Sequence, residues 1–240
     1  MRKLGLPLGI LSVILASCGG GDSGNGSGAT SYAFVPPALN SQRLYSETIT
    51  DNDNSTIDIS YTETVTAQNA DGSYVVLQQN TSATPVLVDG VNWAVQNETV
   101  QDNSDGQVTS YSYVNGGGTT VTCTEIPHGA GPDYPLAVGM SWSLSYQFSC
   151  DNGTPVAYVQ SGTVVDLESV TVPAGTFSAL KLQSTLTWTD SQGSQRTQTI
   201  TNWRDTSSSV SVKQSVTIAY AGTLPSSAYA VSREIELTSD

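Results

Sequence analysis

From Arg43 onward, hydrophobic and polar positions alternate with a period of two. Trp142, Leu144, Tyr146, Phe148 and Cys150 share one parity, and Ser141, Ser143, Ser145, Gln147 and Ser149 share the other. This pattern predicts a half-buried antiparallel strand, apolar toward the core and polar toward water. The same alternation runs through Ile57-Ile59-Tyr61-Val65, Leu180-Leu182-Leu186-Trp188, Val210-Val212-Val216-Ile218-Tyr220 and Tyr229-Val231-Ile235-Leu237. Outward positions are rich in Thr and Ser, which suit a pleated, solvated face. Hairpin signals separate the runs: Ala70-Asp71-Gly72, Asp89-Gly90, Asp105-Gly106, Asn152-Gly153 and Ser191-Gln192-Gly193, with a looser turn at Gly116-Gly117-Gly118.

About a dozen strands follow, more than one flat sheet carries without curling or splitting. The predicted fold is all-β, a strongly curved antiparallel meander with minimal helix, forming an open half-barrel or two packed sheets. It occupies residues 32–240. The longest interruption, Ile126 to Pro135 (IPHGAGPDYP), is set irregular by Pro and Gly. It predicts a large loop or a boundary where two subdomains meet.

The start of the chain departs from this pattern. Arg2 and Lys3 precede an apolar run, Leu4 to Leu15, too short to span a bilayer. Leu15-Ala16-Ser17-Cys18 resembles a bacterial lipobox, which implies a signal peptide over residues 1–17 and a diacylated, acylated Cys18. Two or more chains anchor stably where one does not, so the implied partner is a membrane. Gly19 stands where Asp would retain a lipoprotein at the inner membrane, so the resemblance implies the outer membrane, facing the periplasm or the surface. Residues 18–31 read as the lipidated cysteine and a Gly/Ser linker, whose thirteen flexible residues reach about 20 Å.

Charge narrows the partners. The chain carries a formal −13, and removal of Arg2 and Lys3 leaves six scattered basic residues against 21 acidic ones. Nucleic-acid binding needs a clustered positive footprint, which this composition lacks. Export agrees with the cysteines: once Cys18 is lipidated, Cys123 and Cys150 remain as a pair in an oxidising compartment, predicted to form a disulfide.

Candidate chemistry is sparse. His128, the only histidine, lies in a Gly/Pro loop near Asp133, and there is no Gly-x-Ser-x-Gly elbow. No catalytic residue, metal ligand set or cofactor is expected. Asp51-Asn52-Asp53-Asn54-Ser55 alternates oxygen ligands, but Thr56 and Thr62 stand where a calcium loop needs Gly and Glu, so a polar turn is expected. Glu63 and Arg233 fall on inward rows; they would form a buried ion pair, line a polar cavity, or, as such residues more often do, sit at a strand end and reach water. Trp142 and Trp188 share parity with aliphatic residues and are expected in the core. Trp93 and Trp203 are the candidate stacking platforms for sugar rings, Trp203 lying on the face of Thr197, Thr199 and Thr201.

Three further stretches carry a resemblance. Tyr134-Pro-Leu-Ala-Val-Gly-Met-Ser-Trp142, Glu168-Ser-Val-Thr-Val-Pro-Ala-Gly-Thr-Phe177 and Thr201-Asn-Trp203 are similar to a diffuse group of bacterial lipoproteins and periplasmic proteins with a "VPAGTF" turn. The chain departs from that pattern at Arg204 and at Ser207-Ser208-Ser209. The resemblance implies an open half-barrel of the kind used by lipid carriers, as a fold analogy. The expectation is a non-enzymatic envelope lipoprotein that binds or scaffolds, taking a hydrophobic small molecule such as a lipid, or an envelope protein, as partner. The alternatives are a glycoside hydrolase using two of Glu63, Glu98, Glu125 and Glu168, and a glycan-binding or adhesion module built on Trp93 and Trp203.

Overall fold

Twelve strands form a single antiparallel meander that closes on itself. The computed structural model describes residues 30–81, 87–88, 91–92, 97–114, 118–129, 131–151, 153–189, 193–222 and 229–240. The signal peptide, Cys18 and most of the linker lie outside these. In chain order the strands are β1 (Ser31–Tyr32), β2 (Gln42–Asp51), β3 (Thr56–Gln68), β4 (Tyr74–Asn80), β5 (Leu87–Val88), β6 (Val91–Asn92), β7 (Asn97–Asp102), β8 (Val108–Val114), β9 (Thr120–Ile126), β10 (Leu136–Ala137), β11 (Ser141–Cys150), β12 (Val156–Val172), β13 (Gly175–Thr189), β14 (Gln195–Asp205), β15 (Ser211–Ala221) and β16 (Ala230–Ser239). The described residues contain no helix.

The barrel runs β2-β3-β4-β7-β8-β9-β11-β12-β13-β14-β15-β16 and back to β2. Closure comes from β16 on β2, for example Arg233 opposite Ile49 and Leu237 opposite Tyr45. The predicted all-β meander of about a dozen strands is therefore present, and the open edges of a half-barrel are absent because the first and last long strands pair. Closure removes the exposed edges that invite edge-to-edge association. The 126–135 stretch is a loop and not a subdomain boundary, since β9 and β11 pair directly across it. Cys123 and Cys150 are partners in that register and form the disulfide.

Hairpin chemistry fixes the neighbours. Asn69-Ser73 and Asn103-Gln107 close the β3–β4 and β7–β8 turns, each with Asp or Asn side chains bonded to the backbone two residues on. Pro173-Ala174 is a two-residue turn between β12 and β13, with Val172 opposite Gly175. The Asp51–Ser55 stretch is the polar β2–β3 turn, where Asp53 Oδ1 accepts from the Ser55 amide.

The strand directions put both ends of the barrel domain at one mouth, here called proximal. There β2 begins, β16 ends and Arg43 pairs with Asp240. The β12–β13 hairpin bends over this mouth, where Ala174 N donates to Leu237 O. The segment before β2 crosses it too: Tyr32 pairs with Leu136, Val35 N donates to Ser209 Oγ, and Gln68 Nε2 donates to Pro37 O.

An eight-stranded barrel is just filled by its side chains, so twelve strands leave more interior to occupy. Much of it is filled by separate clusters. Ile49, Ile59, Val216, Ile218 and Ala230 form one, and Leu136, Val164, Leu180 and Leu182 another, with Trp142 packed against it as its parity predicted. Stacked rings fill the β11–β12–β13 sector: Tyr146 on Tyr158 at 5.2 Å and Tyr158 on Trp188 at 5.0 Å. Gly162 is required here, because a Cβ would meet the Trp142 ring and come within 2.8 Å of Gln183 O.

Candidate functional site: a polar cavity at the proximal mouth

Among the described residues, the barrel interior keeps a cavity of about 280 Å³ at the proximal mouth. Its wall is built from inward residues of five strands: Arg43 and Tyr45 on β2, Tyr61 and Glu63 on β3, Asn202 and Arg204 on β14, Ser211 and Gln214 on β15, and Ile235 on β16. Phe34, Tyr74, Gly106 and Ser209 stand at its rim. Phe34 is held by rings, 6.3 Å from Tyr74 and 5.1 Å from Tyr134. Gly106 (φ 68°) lets it in, since a Cβ there would sit 2.7 Å from the Phe34 ring.

The wall is polar and its charges are unequally satisfied. Arg43 Nε donates to Asp240 Oδ1 at 3.2 Å. Glu63 Oε1 accepts from Gln78 Nε2 at 2.9 Å, and burial raises its pKa despite the opposing pull of Arg43. Arg204 Nη1 donates to the Tyr134 hydroxyl at 3.1 Å, but its buried Nε has no acceptor. Ser211 Oγ donates to Asn202 Oδ1 at 3.0 Å. Tyr45 and Tyr61 stack at 5.3 Å and 20°, and burial pushes both phenols well above their ordinary range.

Behind this cavity the lumen carries more acids, enclosed by the barrel wall. Glu98 on β7 is raised to about 7, chiefly by burial, with Arg233 opposing and Glu63 adding. Glu125 on β9 is also raised to about 7, by burial and then by Asp102. Asp102 rises to about 6 through burial, held back by its bond from the Tyr74 hydroxyl and by Arg204. Glu47, 2% exposed, is ion-paired with Arg233 Nε.

Glu63 and Arg233 thus both point inward as the alternation predicted, but not toward each other. Arg233 pairs with Glu47, because β16 lies beside β2 and not β3. Glu47 was legible in principle, since it continues the Arg43-Tyr45-Ile49 row. Trp93 lies outside the described residues. Trp203 is half-buried on the aliphatic cluster of Val170, Val172 and Leu237. Its Nε1 donates to Glu168 Oε1, and Lys181 Nζ sits 5.3 Å over the ring, so it is not the free platform expected. Glu168 is engaged there, outside the group of lumen acids. His128 is half-buried; Nδ1 lies 3.0 Å from Gly129 O, and Nε2 lies 3.9 Å from Asp133. Both contacts stay within its own loop.

No family model and no curated protein matches the chain. Solved structures do. A protein described as exported, with a YmcC-like fold, from Bacteroides fragilis NCTC 9343 is 12% identical over 87% of this chain and 98% of its own, with a TM-score of 0.51, and shares the fold. Weaker matches are the hypothetical lipoprotein YmcC of Escherichia coli K12 (12% identity, 84% and 88% coverage, TM-score 0.42) and a protein described as a lipoprotein from Parabacteroides distasonis ATCC 8503 (11%, 87% and 98%, TM-score 0.44).

Proposed function

We propose that this chain is a non-enzymatic lipoprotein of the cell envelope, anchored through Cys18 to the outer membrane, that holds a small polar ligand in the proximal cavity of its barrel. The lipobox resemblance supports the anchor, and the Bacteroides neighbour, described as exported, agrees with it. We read the VPAGTF turn as a mark of kinship with envelope lipoproteins of that pattern. The single observation carrying the binding role is the cavity itself: a space about 280 Å³ in volume walled by Arg43, Glu63, Asn202 and Arg204 and capped by Phe34.

A lipid carrier needs an unfilled apolar interior. Here the aliphatic clusters are packed, and the open space is polar and slightly smaller than the ~300–1,000 Å³ of pockets for drug-sized molecules. The preference for binding over catalysis rests on the placement of the acids: Glu47 is committed to Arg233, Glu63 to Gln78, Asp102 to Tyr74, and Glu168 to Trp203 and Lys181, while Glu98 and Glu125 do not line the cavity.

Native mass spectrometry of the mature lipoprotein, extracted from its own envelope in detergent and compared with the denatured chain, tests this reading. The expected result is a noncovalent polar mass of single-sugar size that leaves on denaturation. A bound acyl lipid would overturn the polar-ligand assignment. An empty barrel that also ignores added polar small molecules would overturn the binding role.

A further inference from the structure

Of the two arginines that line the cavity, Arg43 is ion-paired and Arg204 is not. A guanidinium offers five N–H donors. One bonds to Tyr134 at 3.1 Å, and the buried Nε bonds to nothing. Nε itself is closed off from solvent, but the guanidinium borders the cavity without a carboxylate partner, and a carboxylate suits it because its two oxygens match the guanidinium fork. Arg43 is already bonded to Asp240.

The rest of the wall selects among carboxylates. The amides of Asn202 and Gln214 and the Ser211 hydroxyl are hydrogen-bonding groups suited to hydroxyls. The parallel Tyr45–Tyr61 pair supplies aromatic surface against which one face of a ring packs. An amino acid would need an anion for its ammonium group. The acid at hand, Glu63, already accepts from Gln78, and burial favours its neutral form. A neutral sugar could accept hydrogen bonds from Arg204 but would leave its charge without an anion.

From this geometry we propose that the proximal cavity binds a polyhydroxylated monocarboxylate of single-ring size, the sugar-acid class. Its carboxylate sits on Arg204 and its hydroxyls on Asn202, Ser211 and Gln214. The assignment rests on the lumen being a binding site, and its test separates the two.

Calorimetry and saturation-transfer NMR on the mature, detergent-solubilised lipoprotein would use D-glucuronate, D-glucose and L-glutamate as probes. D-Glucuronate is expected to bind, and D-glucose at least tenfold more weakly. Arg204→Gln is expected to reduce glucuronate to the glucose level with an unchanged circular-dichroism spectrum. Asn202→Ala, which keeps the cation, weakens both sugars together and keeps the proposal testable if R204Q does not fold. Equal affinity for the two sugars, or undiminished glucuronate binding by R204Q, would overturn the proposal. Binding of L-glutamate without glucuronate would overturn the ligand class and leave the lumen site standing. Failure of all three probes, together with an empty native spectrum, would remove both.

Discussion

Glu98→Gln removes a lumen carboxylate that burial holds at about 7 instead of its ordinary 4.5. Glu98 lies opposite Gln78, in the same cross-strand row as Glu63. Because its folded pKa is raised, the folded chain binds this proton more tightly than the unfolded chain does. The protonated side chain's contribution is therefore complete below the unfolded pKa and is lost as pH rises through the folded value, from about 4.5 to about 7. The move from 4.5 to about 7 corresponds to at most about 3.4 kcal/mol. Glutamine keeps the shape and carries no charge. E98Q should match the parent at pH 4 and be more stable at pH 8 by about 1–3 kcal/mol. With m of about 2–3 kcal/mol/M, the urea midpoint at pH 8 rises by about 0.3–1.5 M. Equal midpoint shifts at the two pH values, or a less stable E98Q at pH 8, would refute the claim that the barrel wall desolvates this acid.

Glu125→Gln should show the same sign and pH window, read by the same titration, since Glu125 also sits at about 7. Replacing Cys123 and Cys150 together by Ser should cost about 3–4 kcal/mol of stability in denaturant, given the 27-residue separation of the pair. Gly162→Ala should destabilise by more than about 2 kcal/mol in the same assay, since its Cβ meets the Trp142 ring and the Gln183 carbonyl. Cys18→Ser should abolish incorporation of radiolabelled palmitate in cells and leave the precursor uncleaved.

The strands were legible because alternation is a local signal. Trp142 to Cys150 and Leu180 to Trp188 face inward as their parity required. Closure was not legible, since the pairing of β16 with β2 joins residues far apart in sequence, and nothing local states a register. The same limit hid the partner of Arg233: the alternation put Arg233 and Glu63 inside, but only the register supplies Glu47.

Arg204 shares the inward parity of Ile200 and Asn202 and was readable as a third member of that row. What marks it as a site is that it lines the cavity with a hydroxyl and no carboxylate as partner, a property of packing. Phe34 could not be foreseen, because it precedes the periodic region and acts through rings on two distant segments. Trp203 misled because it shares the threonine face, yet the register sets Lys181 of β13 directly opposite it, and Glu168 of β12 accepts from its Nε1.

The chain has three phenylalanines, Phe34, Phe148 and Phe177. Only Phe34 borders the proximal cavity. Fluorine NMR of the mature lipoprotein labelled with 4-fluorophenylalanine and titrated with D-glucuronate therefore reports on the cavity directly. Binding there should shift the Phe34 resonance, identified by its loss in Phe34→Leu, while those of Phe148 and Phe177 stay in place. A stationary Phe34 resonance at saturating D-glucuronate, or movement confined to the other two, would contradict a ligand site at the proximal mouth.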